Sequence, residues 1–360
     1  MIRFSFLPFL FAFFLAGCAL SAPSYRGPMS SHFDGEKFRN QVPVPNHGFS
    51  DLIRWRFSRE PGEWNDSNHV APGPAPPERV GNGDLRVTFV NHSTVLIQMD
   101  SLNILTDPIW SDRAGPFSWA GPKRVRPPGI RFEDLPPIDA IILSHNHYDH
   151  TDIPTLKRLF QRDAPRVFVA LGNKALMDKN GMPGSQEMDW WQDTPITPSV
   201  RLTFVPAQHF SARGLGDRNE TLWGGYVIEG EAGVVYFAGD TGWGPQFEQV
   251  RDRFGAIRLA ILPIGAFRPR WFMAAVHISP EEAVRAHRLL GAQTSMAVHF
   301  GTFRLGDDGQ NEPVEELANA RELHGVSPEA FWALGFGEGR MVPPVEVDTL
   351  RSAEVVEQRR

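Results

Sequence analysis

The run Ser144-His-Asn-His-Tyr-Asp-His-Thr-Asp152 places three histidines and an aspartate, His145, His147, Asp149 and His150, within six residues. The whole chain has only 12 histidines, so composition does not account for the cluster. Imidazole and carboxylate without thiolate suit zinc, and also iron or manganese. Alternate side chains of an extended loop splay to opposite sides, so His145 and His147 share one face while Asp149 and His150 turn to another. That arrangement suits two neighbouring ions better than one. Paired metals activate water near neutral pH and clamp the oxygens of an in-line displacement.

Such a loop needs rigid elements around it. Ala140-Ile-Ile-Leu143 reads as a buried strand, and 152–160 as a helix with Asp152 as its cap and Pro154 in its first turn. Three further ligand candidates also end strands. His209 follows the strand 201–205, Asp240 lies in Ala238-Gly-Asp-Thr-Gly242 after 234–237, and His299 ends 295–298. His145, His147 and His209 make one set of three nitrogens. Asp149, His150 and His299 make a second, and the two oxygens of Asp240 bridge the ions. Asp107, after the strand 102–105, is expected to hydrogen-bond a ligand histidine. His92 lies in the turn between strands 85–90 and 94–98, where a reach into the site and a plain turn role stay open.

Strands meander first and then alternate with helices, which predicts an α/β fold of two mixed β-sheets sandwiched between helical layers. Ser279-Pro-Glu-Glu282 opens a helix to Leu290 with a capping box, and a last helix runs over 313–323. Another short helix is expected over 51–59.

Composition adds bounds. The chain has 360 residues, a net charge of −6 and 41% hydrophobic residues, so it is globular with no nucleic-acid footprint. Thirty-one Pro and 33 Gly point to long loops that carry function. Residues 1–17 read as a signal peptide, with Arg3 before an apolar run too short to span a membrane. Leu15-Ala-Gly-Cys18 resembles the lipobox of bacterial lipoproteins, which implies lipidation of Cys18, the only cysteine. Ala19 after it favours a periplasm-facing place on the outer membrane. Residues 18–83 then form a Pro-rich tether or arm, 84–345 the catalytic domain and 346–360 a tail. A homodimer in which the arm contacts a second chain is open. Lys123, Arg124 and Arg126 form a small basic cluster that suits a phospholipid surface.

At His145-x-His-x-Asp-His150 the chain resembles the metallo-β-lactamase fold, an αββα sandwich. The run 135–150, Met188-Asp-Trp-Trp191, Ala238–Gly242, Arg270-Trp-Phe-Met273, 279–285 and 296–303 narrow the likeness. Together they resemble the N-acyl-phosphatidylethanolamine-hydrolysing phospholipase D family over 84–340. The 31-residue step from His209 to Asp240 and the 59-residue step to His299 fit that family too. The resemblance implies two Zn2+ on the seven residues named above, with Asp240 and His277 in catalysis. It also implies that Tyr148 and His277 contact a phospholipid substrate, which is cleaved to N-acylethanolamine and phosphatidate. A lactonase or other small-ester hydrolase remains as an alternative on the same site. An outer-membrane lipoprotein with a structural or regulatory role remains from another class.

Overall fold

Alternation along the strands sorts their side chains into layers. In β4 (Ala140–Leu143) every residue is buried, yet odd and even positions face different neighbours. Ala140 and Ile142 join the large core between two sheets. Ile141 and Leu143 pack outward with Leu156 and Leu159 of α2 (Ile153–Asp163) and Leu176 and Met177 of α3 (Lys174–Lys179). Each fully buried aliphatic side chain contributes roughly 1.5–3 kcal/mol, so a strand covered on both faces is strongly anchored.

The first sheet has seven strands in the order β14-β1-β2-β3-β4-β5-β6. They are β1 (Leu85–Asn91), β2 (Thr94–Met99), β3 (Leu102–Thr106), β4, β5 (Arg166–Ala170), β6 (Gln186–Met188) and β14 (Gly339–Met341). Pairing is antiparallel from β14 to β3 and parallel from β3 to β6. The second sheet repeats the plan in the order β13-β12-β11-β10-β9-β8-β7. Its strands are β7 (Asp193–Pro195), β8 (Arg201–Val205), β9 (Gly225–Gly230), β10 (Gly233–Phe237), β11 (Ile257–Pro263), β12 (Thr294–Val298) and β13 (Phe331–Trp332). Here β7 to β10 are antiparallel and β10 to β13 parallel. The second helical layer holds α4 (Gln246–Phe254), α6 (Pro280–Leu290) and α7 (Glu312–His324), with α6 packed on α4, α7 and β11. The result is the αββα sandwich expected.

The computed structural model describes residues 22–45, 47–65, 71–214 and 216–345. The signal segment 1–17, Cys18 and the tail 346–360 lie outside the described residues. Among the described residues no helix is long and apolar enough to cross a membrane. The arm 22–45 is draped over the domain, with Phe33 and Phe38 in the main core. Two short helices, α1 (Phe49–Phe57) and α5 (Arg270–Met273), complete the elements.

Helix starts divide the expectations. Ser279 Oγ accepts from Glu282 N at 3.2 Å and Glu282 Oε2 from Ser279 N at 2.8 Å, so the capping box of α6 is formed. Asp152 stands at the N-cap of α2 as expected, but its side chain makes no cap bond. Its carboxylate instead accepts from the amide and hydroxyl of Ser111 and the hydroxyl of Thr155, tying the loop after β3 to the helix.

Candidate metal centre

Both sheets deliver chemistry at the same end. From the first sheet, β4 runs into the loop 144–152, and Asp107 lies just beyond β3. Asp107 accepts from Ser144 N at 2.7 Å and from Ser144 Oγ at 2.6 Å, while its Oδ2 lies 2.7 Å from His150 Nδ1. His150 Nδ1 therefore donates to a carboxylate and leaves Nε2 free to bind. From the second sheet, His209 follows β8, Asp240 follows β10 and His299 follows β12. His209 Nδ1 lies 2.9 Å from the carbonyl of Val276, which likewise frees its Nε2.

The seven ligand candidates converge. His145, His147 and His209 turn one nitrogen each to within 4.8 Å of one another. A carboxylate oxygen of Asp149 and one nitrogen each of His150 and His299 come as close, joined by His92. Asp240 belongs with His145 and His150 in one group and with His209 and His277 in another, so it touches both sets. Its Oδ2 lies 3.0 Å from His299 Nε2, 3.1 Å from His150 Nε2 and 3.8 Å from His209 Nε2.

His92 takes part, which settles the choice left open by the sequence. Its Nε2 is 3.0 Å from Asp149 Oδ2, and its carbonyl accepts from His299 N at 2.7 Å. His92, Asp107 and His299 all have positive φ, at 45°, 34° and 62°. Non-glycine residues enter that region at a cost, and three of them surround one cluster.

Electrostatics separate the sets. Burial holds His145 well below the ordinary histidine range and pushes His147 and His209 down to about 3, so this set is neutral and ready to ligate. Burial also opposes charge on His150 and His299, but Asp240 and Asp149 outweigh it and raise both, His299 to about 9. Burial would raise Asp149 and Asp240, yet His150 holds both well below the carboxylate range, helped by His299 at Asp240. The orphaned atoms test whether a cation fits. His150 Nε2, His299 Nε2, Asp240 Oδ1 and His277 Nδ1 are buried without a hydrogen-bond partner. Buried polar atoms are rarely left so, and a metal ion would satisfy the lone pairs of His150, His299 and Asp240, with His277 Nδ1 left facing the same space. The cluster is able to hold metal.

His277 stands at the rim, its Nδ1 4.0 Å from Asp240 Oδ2 and its ring stacked 5.3 Å from that of His299. Tyr148 is half-buried, with the Arg213 guanidinium 3.9 Å over its ring. Arg213 also donates to the carbonyls of Asn146 at 2.8 Å and Thr151 at 2.9 Å, so it fixes the ligand loop from outside. In the sequence, the place of Arg213 four residues after His209 is its one signal. A cavity of about 550 Å³ opens beside Tyr148 and Arg213, lined also by Phe117, Ser118, Leu176 and Lys179. Of the basic cluster only Lys123 is exposed. Arg124 is spent inside, donating to Ser111 O, Ile109 O and Asn91 Oδ1, and Arg126 bonds Asn311.

Residues 102–300 match the family described as a beta-lactamase superfamily domain. Over 269 residues the chain is 40% identical to N-acyl-phosphatidylethanolamine-hydrolyzing phospholipase D 1 of Caenorhabditis elegans, across 71% of this chain and 75% of that one. The chain belongs to the metallo-β-lactamase superfamily and to this phospholipase D family within it. It is a metal-dependent hydrolase. The mitochondrial family member of Saccharomyces cerevisiae is 32% identical over 250 residues, 68% of this chain and 53% of the relative. Igni18, a metallo hydrolase of the archaeon Ignicoccus hospitalis, shares the fold at 21% identity with a TM-score of 0.51, covering 72% of this chain and 99% of its own.

Proposed function

We propose that this hydrolase is a two-zinc phospholipase D that cleaves N-acyl-phosphatidylethanolamine to N-acylethanolamine and phosphatidate. The observation that carries the reading is a His/Asp cluster, buried but for half-buried His147 and Asp149 and with unpartnered inward atoms, in a chain 40% identical to a phospholipase D of that specificity. His145, His147 and His209 would hold one ion and Asp149, His150 and His299 the other, with Asp240 shared. When bound, the ion pair supplies Lewis acidity and a water of lowered pKa; zinc suits the donor set best, with iron or manganese as the other candidates.

The chain's own residues do the rest. His277 Nδ1, buried and unpartnered, is placed to hydrogen-bond a phosphate oxygen near Asp240. Tyr148 sits between two ligands of opposite sets, and with the cavity beside it orients the lipid portion. Lipidation of Cys18, with outer-membrane attachment facing the periplasm, belongs to the same proposal and keeps the enzyme at its substrate. Multiple acyl chains are needed for stable anchoring.

A substrate panel tests the reaction. The mature protein loaded with zinc is offered N-acyl-phosphatidylethanolamine, an acyl-homoserine-type lactone and a chromogenic β-lactam, with products identified by mass spectrometry. Release of N-acylethanolamine and phosphatidate from the first is expected. Turnover of the lactone alone would transfer the assignment to ester hydrolysis. Cys18→Ser protein is expected in the soluble periplasm, and unchanged membrane attachment would remove lipidation.

A further inference from the structure

The arm, which the sequence left open as a tether or a segment draped over the domain, reaches the His/Asp cluster. Asn40 and His209 are 169 residues apart, yet the Asn40 side chain brackets the main chain of His209. Its Nδ2 donates to the His209 carbonyl at 2.8 Å and its Oδ1 accepts from the His209 amide at 3.0 Å. The same Oδ1 accepts from the indole of Trp223 at 3.0 Å. Trp223 is fully buried, so the anchor behind Asn40 is rigid.

The adjoining residue completes a reciprocal clamp. Gln208 Oε1 accepts from Val42 N at 3.3 Å and Gln208 Nε2 donates to Val42 O at 3.0 Å. Thus an arm amide holds a site backbone, and a site amide holds the arm backbone. On its other side the same dipeptide is stitched to the loop of Asp240. Gln208 N donates to Thr241 Oγ1 at 2.9 Å, and Gly242 N to Gln208 O at 2.7 Å. Among the described residues the strand pairing of β8 ends at Val205, so these bonds hold the segment that follows in place of a ladder.

We infer that Asn40 is a positioning residue for the metal centre: by bracketing the His209 main chain it fixes that ligand's imidazole against His145 and His147. The inference rests on the ligand assignment made above, but not on the identity of the substrate. His145 and His147 come from a loop already held by Asp107 and Arg213. Within that set only His209 is bonded by the arm: the Val276 carbonyl orients its ring, and Asn40 holds the main chain that carries it. Loss of Asn40 therefore loosens the site of His145, His147 and His209, while the Asp149, His150 and His299 set keeps its supports in His92 and Asp107.

The test uses the mature full-length chain loaded with Zn2+, and follows release of zinc to a chromophoric chelator. Wild type is expected to release two equivalents slowly. Asn40→Ala is expected to release one equivalent about tenfold or more faster, the usual scale for residues that orient a ligand, with the other unchanged. Asn40→Asp keeps the acceptor for His209 N and Trp223 but sets a carboxylate oxygen against the His209 carbonyl, so it too is expected to release that one equivalent faster than wild type. A merely structural role would instead speed both equivalents together. That result, or release identical to wild type, overturns the inference while leaving the metal assignment standing. Wild type that takes up no zinc overturns both. If Asn40→Ala fails to fold, Asn40→Asp decides by the same criteria.

Discussion

The carboxylate of Asp107 is fully buried and accepts from Ser144 twice and from His150 Nδ1. Burial pushes its pKa up, against the pull of His150 and Ser144. Its bond to Nδ1 fixes the tautomer of His150 and raises the basicity of its Nε2. Asp107→Asn keeps the volume but presents an amide donor to groups that are all donors. Zinc affinity is expected to fall about 10- to 100-fold, measured by chelator competition, and an unaltered affinity would strip Asp107 of that role. This residue was legible because a strand pattern ended on it next to the ligand strand. His92 was half legible, since a turn between strands fixes its place but not which way its ring points. Asn40 and Arg213 were not legible. Neither type is a ligand, and each acts through contacts that only the closed fold creates.

Among the elements, α6 joins stability to site geometry. Glu282 Oε2 accepts both from Ser279 N and from Arg270 Nη2 at 2.7 Å, and Arg270 Nη1 donates to the carbonyl of His277 at 2.9 Å. One carboxylate thus closes the helix start and ties α5 to the stretch that carries His277. Glu282→Ala is expected to cost about 1 kcal/mol, the usual scale for a lost cap. A lowered urea midpoint with an unchanged slope would show it, and an unmoved midpoint would contradict it. Glu282→Gln retains an acceptor for Ser279 N and should recover part. The capping box was plain in the sequence because its two partners lie three residues apart. The edge strands β6, β7 and β14 were not, for three residues carry no period of their own and are ordered by the neighbour's ladder. Asp152 holds the N-cap position, but its side chain makes no cap bond for a related reason: Ser111, 41 residues away, competes for its oxygens.

At the scale of the molecule, the site is a seam. Asp107, His145, His147, Asp149 and His150 come from the ends of the first sheet, and His209, Asp240 and His299 from the ends of the second. The alternation of strands and helices made the two-sheet sandwich legible. Which ends would meet was not written in any local pattern; it follows from packing the two sheets over one core. The seam has a thermodynamic consequence. Without a cation it gathers buried histidines around two carboxylates with several atoms unpartnered. An ion bound only by the native state stabilises it by about 4 kcal/mol at a thousand times its dissociation constant. Removing zinc with a chelator is therefore expected to lower the melting temperature by several degrees, and re-adding zinc to restore it. Asp240→Asn removes a charge from the one residue common to both sets, so its melting temperature should respond weakly to added zinc. The two proteins are compared by calorimetry at equal zinc. Equal responses would mean that Asp240 does not join the two halves through metal, and that the sandwich holds its ends together by packing alone.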